Sequence, residues 1–422
     1  MNYTQILTFA LGSMGAAAMA QTTLVSQQAA PVNYHLIDLG PVGMPPGAAN
    51  FIPNNGVVAG AVETGGAVHA VAWFGGHLID IGANKLGGPN SQAFGVNDRG
   101  QVVGEAQTSD PNGEDFCGFN QMGLLPSGNA CRAFLWQNGL VAELKNTLGG
   151  ANSVANQINN RGDVVGFAET NQQREAGCGV GRFAPVIWRN GIMQTLPTYA
   201  GDPDATAFAI NDQGQTVGAS GSCAPFNPNS QLNLLEAHAV LWDATGVHLI
   251  PGFGGDGGFG GNHACGINNL GQVVGHSDLP GDAAFYGFLW SKETGTLMLK
   301  PYGEDFASVA NSINDRGQAV GGSFDANFAF RAMLWQDRIG IDLNSVVPGN
   351  TAMHLDIAFG INASGEIVGF GDIDGELHGF LATPNSSGEE ERLLPGEARV
   401  PRTPLSVNAR RLLFQRLGIR RP

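Results

Sequence analysis

The chain has 422 residues, a formal net charge of -15 and only 14% charged side chains, where an ordinary globular domain has about 25%. Its 63 glycines follow no three-residue period and 43% of the chain is apolar, which excludes a collagen and a disordered polyelectrolyte. The acidic balance argues against nucleic-acid binding, and only the extreme N-terminus approaches the ~20 apolar residues of a membrane-spanning helix.

Residues 6–18 form a short apolar stretch that ends in Ala18-Met19-Ala20, before the polar Gln21. That is the pattern of a secretory signal cut after Ala20, although the segment before it carries no Lys or Arg. The expectation is a signal peptide over 1–20, a short linker over 21–33 and an extracellular or periplasmic protein in which disulfides are tolerated. No membrane-spanning segment is expected to remain after cleavage.

From residue 34 to about 384 one unit recurs seven times. Its first piece is Ile/Val-Asn-x-x-Gly-x-x-Val-Gly, clearest at Val96 to Gly104. Copies follow at Ile158, Ile210, Ile267, Ile313 and Ile361, and an earlier one at Ile52 has Pro53 in place of Asn. The turn glycines are Gly56, Gly100, Gly162, Gly214, Gly271, Gly317 and Gly365. A second piece is a short apolar run ending in Trp73, Trp136, Trp188, Trp242, Trp290 or Trp335, with Ala382 in the last copy. These are all 6 tryptophans of the chain, so the position is structural and the indoles are expected in the core. Truncating one to Ala is expected to cost about 3–5 kcal/mol. A third piece, such as Leu78-Ile79-Asp80-Ile81-Gly82, follows a glycine-bearing turn.

Each piece is short, β-rich and bounded by turn residues, so each reads as a strand. Asn97-Asp98-Arg99-Gly100 predicts a type I turn that ends in the left-handed region, where glycine escapes the Cβ clash. Asn138-Gly139 and Asn190-Gly191 predict tight hairpins. Phe94 and Val96, like Phe208/Ile210, Cys265/Ile267 and Phe359/Ile361, are expected on one side of the first strand. Four strands per unit and about 50 residues per unit point to a β-propeller. The orphan third piece at residues 34–40 supplies what the seventh unit lacks. The prediction is therefore an all-β, seven-bladed propeller of four-stranded antiparallel blades, closed by that N-terminal strand.

These units, with His69-Ala70-Val71, His238-Ala239-Val240 and His378-Gly379-Phe380 heading the second piece and Asp-Leu-Gly in the third, resemble the HAF family of bacterial extracellular repeat proteins. The resemblance covers about residues 34–384. It implies an exported protein of unassigned activity and carries over no catalytic residue.

Function is expected in the insertions. The second-to-third-strand connection is long in copies two (Gln107 to Ala130), three (Thr170 to Arg182) and four (Gly221 to Glu236), and loops on a rigid scaffold carry binding disproportionately. Asp110, Glu114 and Asp115 form a candidate acidic patch there, and Asp256 sits in a glycine-rich loop over 251–261. Cys117, Cys131, Cys178 and Cys223 lie in or beside the insertions. Their spacing allows Cys117–Cys131 and Cys178–Cys223 pairs, two other pairings, or free thiols. Cys265 reads as a buried thiol. Asp372-x-Asp374-Gly375-Glu376 lacks the spacing of a calcium loop and reads as a hairpin. His69, His238 and His378 recur at one strand position and read as structural. No metal site, cofactor motif or hydrolase signature is found.

After residue 385 the composition changes. Eight arginines (Arg392, Arg399, Arg402, Arg410, Arg411, Arg416, Arg420, Arg421) against four glutamates give this segment +4 and leave -19 on the rest. It is expected to be disordered, or to form a short amphipathic helix over Leu405 to Leu417. The expected function is a monomeric, non-enzymatic binding module for a surface protein or polysaccharide. A structural surface or matrix protein is the alternative, and a polysaccharide-acting hydrolase or lyase the third reading.

Overall fold

The computed structural model describes residues 33–42, 48–75, 77–112, 128–173, 181–222, 235–255, 261–282, 284–347 and 351–385. The signal peptide expected over 1–20 and the Arg-rich tail lie outside them.

The described residues form seven four-stranded antiparallel sheets. Six are built from consecutive strands, and the seventh takes its outer strand from the start of the chain. This is the predicted seven-bladed β-propeller. The first strands of the units, Ala48–Phe51, Gly87–Val96, Gly149–Ile158, Asp204–Ile210, His263–Ile267, Ala307–Ile313 and His354–Ile361, touch one another around the ring and surround its axis. Closure is as expected: Tyr34–Pro41 runs antiparallel to Glu376–Pro384, with Ile37 opposite Leu381 and Tyr34 opposite Pro384. Tyr34 is fully buried by this pairing, and desolvation pushes its phenol up to about 12.

All seven turn glycines adopt positive φ, from 70° to 90°. Each donates its N–H to the carbonyl three residues back, as Gly100 does to Asn97 (2.9 Å), which is the predicted turn. Asn138 and Asn190 have φ of 50°, and the glycines after them 81° and 77°, as a tight hairpin requires.

The inner strands depart from simple alternation. Every one of them is bulged at the same place, between Ala93 and Gly95 in blade two and at the equivalent step in the other six. The bulged residues are Asn50, Phe94, Asn156, Phe208, Cys265, Asn311 and Phe359. Phe94 and Val96 are therefore not simple same-face neighbours, because one extra residue shifts the side-chain period between them. The bulge also explains the second glycine of the repeat. A Cβ on Gly104, Gly166, Gly218, Gly275, Gly321 or Gly369 would collide with a backbone carbonyl oxygen of the bulged strand, such as that of Gln92 or Val309.

Four of the tryptophans, Trp73, Trp188, Trp242 and Trp335, are buried, and Trp136 and Trp290 are half-buried against the same cores. Each of the four buried indoles donates to a carbonyl at the outer end of the preceding blade. Trp188 reaches Lys145 (3.0 Å), Trp242 reaches Pro197 (2.7 Å) and Trp335 reaches Lys300 (3.0 Å), while Trp73 reaches Leu39 of the closing strand (3.2 Å). The indoles thus pin blade to blade as well as filling the core.

Candidate functional site

The antiparallel order sends the glycine turns to one end of the ring. The second-to-third-strand connections and the blade-to-blade linkers lie at the other.

At the turn end, the recurring Asn is a stitch between blades. Asn97 uses its side-chain oxygen to accept the N–H groups of Arg99 and Gln101 (3.1 Å each), fixing its own turn. Its amide nitrogen donates to the carbonyl of Asn159 in the next blade (2.9 Å). The same link runs from Asn159 to Asn211, Asn211 to Asn268, Asn268 to Asn314, Asn314 to Asn362 and Asn362 to Pro53. Blade one has Pro53 at this place, and Asn55 supplies the missing donor to the carbonyl of Asn97 (3.4 Å). All seven seams are therefore bridged. Below this ring, Asn50, Asn156 and Asn311 at the bulges donate to Ala93, Ala207 and Ala358 of their next blades at 2.7–2.9 Å.

The residue after the recurring Asn forms a crown at the mouth of the axis: Asn54, Asp98, Asn160, Asp212, Asn269, Asp315 and Ala363. Six of the seven crown side chains accept the N–H of the crown residue one blade earlier. Asp98 takes that of Asn54 (2.7 Å), Asp212 that of Asn160 (2.8 Å) and Asp315 that of Asn269 (2.8 Å). Amide and carboxylate alternate, so Asn160 donates to both Asp98 (2.9 Å) and Asp212 (3.2 Å). Alternation keeps carboxylates from standing next to one another, where they would repel. Seven is odd, so strict alternation cannot close, and the mismatch falls at Ala363. Alanine offers no acceptor to the Asp315 N–H. Ala363→Asn is therefore expected to stabilise the ring by about 1 kcal/mol. Thermal unfolding of the variant measures this, and an unchanged or lower midpoint contradicts it.

At the insertion end, Asp110 stands exposed on the second strand of blade two with its carboxylate 3.6 Å from Arg132. Glu114, Asp115 and Asp256 lie outside the described residues. The strands reach further into the insertions than predicted: in blade two Gln107 pairs with Cys131 and Pro111 with Asn129. The connections left are 112–128, 171–182 and 223–234, against two residues in blades one and seven, 65–66 and 374–375. Cys131 is disulfide-bonded, and Cys117, Cys178 and Cys223 lie outside the described residues. Cys265 is a free thiol, half-buried on an inner strand, and desolvation pushes it up to about 12.

The recurring histidines face carboxylates. His69 lies 2.7 Å from Asp80, and His378 lies 2.9 Å from Asp38 across the closing pair of strands. Where Arg replaces His the partner persists: Arg331 meets Asp342 at 2.6 Å and Arg132 approaches Glu143 at 3.6 Å. His238 turns instead to Asp202 of the preceding linker (3.1 Å). Asp372 accepts the N–H of Gly375 (3.0 Å) inside a hairpin, as the sequence suggested.

One buried acid stands apart. Asp356 is 1% exposed, its Oδ2 has no hydrogen-bond partner, and desolvation together with Asp372 holds its pKa well above the usual carboxylate range. A raised folded pKa contributes stability below about pH 4 that is lost as pH rises through the folded value. Asp356→Asn is therefore expected to melt increasingly above the parent as pH climbs from 4. Parallel melting curves at all pH values contradict this. Among the described residues, no three His, Cys, Asp or Glu side chains are arranged to hold a metal ion.

No family model matches this chain, and no curated protein is significantly similar to it. Several solved structures are similar in shape. The β-propeller domain of the trilobed protease of Pyrococcus furiosus is 7% identical with a TM-score of 0.49, over 85% of this chain and 95% of that one. The acylaminoacyl peptidase of Pyrococcus horikoshii is 10% identical with a TM-score of 0.44, over 79% of this chain and 51% of that one. TolB of Acinetobacter baumannii is 10% identical with a TM-score of 0.36, over 79% and 80%. Likenesses of this degree carry no argument about activity or ligand.

Proposed function

We propose that the protein is an exported, non-enzymatic binding module that presents the insertions of blades two to four to a surface protein or polysaccharide. The supporting observation is the contrast between the two ends of the ring. At the turn end the recurring Asn side chains and the crown are committed, seam by seam, to hydrogen bonds between blades. The insertion end carries the long connections 112–128, 171–182 and 223–234 on three consecutive blades. A scaffold cross-linked at every seam holds such loops in fixed relation, which lowers the entropy cost of binding. The HAF-like repeat pattern and the secretory signal of residues 1–20 fit the same reading.

The test is an array of bacterial polysaccharides and surface proteins probed with the intact chain. Three variants accompany it, each with one insertion replaced by the two-residue turn of blade one. The expected result is a hit that at least one shortened variant loses while its melting temperature stays within about 2 °C of the parent. No binding above background, or binding indifferent to all three replacements, contradicts the reading.

A further inference from the structure

The seam between blades four and five carries a titratable side chain where its neighbours do not. One inner-strand position lies opposite the residue that follows Val-Val-Gly. It holds Gln92 in blade two, Val154 in blade three, Thr206 in blade four, Val309 in blade six and Ile357 in blade seven, none of them titratable. In blade five it holds His263, paired across the strands with His276. His263 is 3% exposed and its Nε2 has no hydrogen-bond partner. Its ring stacks on Phe208 of blade four (5.9 Å between centroids, 24°) and lies 5.0 Å from the ring of His276. Gly261 closes the site, since a Cβ there would lie 2.9 Å from that Nε2.

No carboxylate is paired with this imidazole. On the second strand of blade five, Asp278 accepts the N–H of Gly261 (3.2 Å). On the inner strand of blade four, Asp204 accepts the N–H of Phe183 in blade three (2.9 Å). On the third strand of blade four, His238 turns to Asp202 and Asp243 to His248. The facing strands Thr216–Ser222 and Ala307–Ile313 carry no titratable side chain, and Cys265 contributes a neutral thiol. A proton on His263 therefore meets Phe208 on one side and a second histidine on the other.

We propose that His263 makes the blade four–five seam an acid-labile latch, which opens on protonation and loosens the inner strands Asp204–Ile210 and His263–Ile267 while the closing seam stays shut. Burial pulls the imidazole down to about 4. The seam is therefore at full strength above about pH 6.5 and weakens as pH falls from there toward 4. At pH 5 this shift corresponds to an opening equilibrium about thirtyfold larger than at pH 7.5.

Hydrogen exchange on the intact protein at both pH values, corrected for the intrinsic rate, reads this directly. The parent is expected to lose about thirtyfold protection in Asp204–Ile210 and His263–Ile267 and little in Tyr34–Pro41. His263→Val copies blades three and six and should abolish the difference. Should that variant fail to fold, His263→Gln copies Gln92 of blade two. A protection loss spread evenly over all seams, or one that persists in either neutral variant, overturns the proposal.

Discussion

Gly321→Ala is expected to cost about 3 kcal/mol or more, a large share of the stability of a folded domain. The new Cβ would strike the carbonyl oxygen of Val309 and press on the Cα of Ala310, both backbone atoms held in register by the bulge at Asn311. Backbone cannot rotate out of the way as a side chain can. Gly317→Ala is the matched control four residues earlier. Its only neighbour is the Gln272 Oε1 at 3.7 Å, so it bears the left-handed strain alone (φ +74°), about 1 kcal/mol. Denaturant titration of the two variants separates a steric need for glycine from a conformational one. Equal losses contradict the account of the bulge.

Removing residues 1–41 is expected to be the most damaging truncation that leaves the seven-fold array of units nearly whole. It exposes the third strand of blade seven as an unpaired edge and takes away the buried Tyr34 and the packed Leu36 and Leu39. It also leaves Trp73 without its acceptor on Leu39 and His378 without Asp38. Lost apolar burial alone is worth about 5 kcal/mol, and an open edge invites strand pairing between molecules. Calorimetry should show a midpoint lower by 10 °C or so, and sedimentation should show self-association. A truncated monomer that melts like the parent contradicts closure.

Much of this architecture is visible one unit at a time. The turn glycines, the Trp position and the orphan third piece report blade count and closure because each reflects local backbone geometry or a repeated place in the core. The reason for the second glycine is not visible that way. A bulge leaves no mark on Ala93-Phe94-Gly95, and only the paired strands show a carbonyl aimed at Gly104. The crown escaped for a related cause. Asn97 reads alone as a turn former, while its donor bond goes to Asn159, 62 residues on. A signal was present in the next position, where Asn54, Asp98, Asn160, Asp212, Asn269 and Asp315 alternate before Ala363 breaks the series. Alternation between units is read only by comparing neighbours around a ring, and that requires the ring first. The insertion-end candidates rest on charge and on their place in long or glycine-rich connections; of these, Asp110 is the one within the described residues, and it faces Arg132.

Ring closure is tested most directly by a covalent link across the joint. His35 and Thr383 are direct partners on the closing strands, with side chains not buried. In the double variant His35→Cys/Thr383→Cys, oxidation should form an intramolecular disulfide in monomeric protein, found as a single cross-linked peptide pair by mass spectrometry, without loss of melting temperature. Thiols that stay free, or that join only between molecules, would show that the two ends of the chain do not meet.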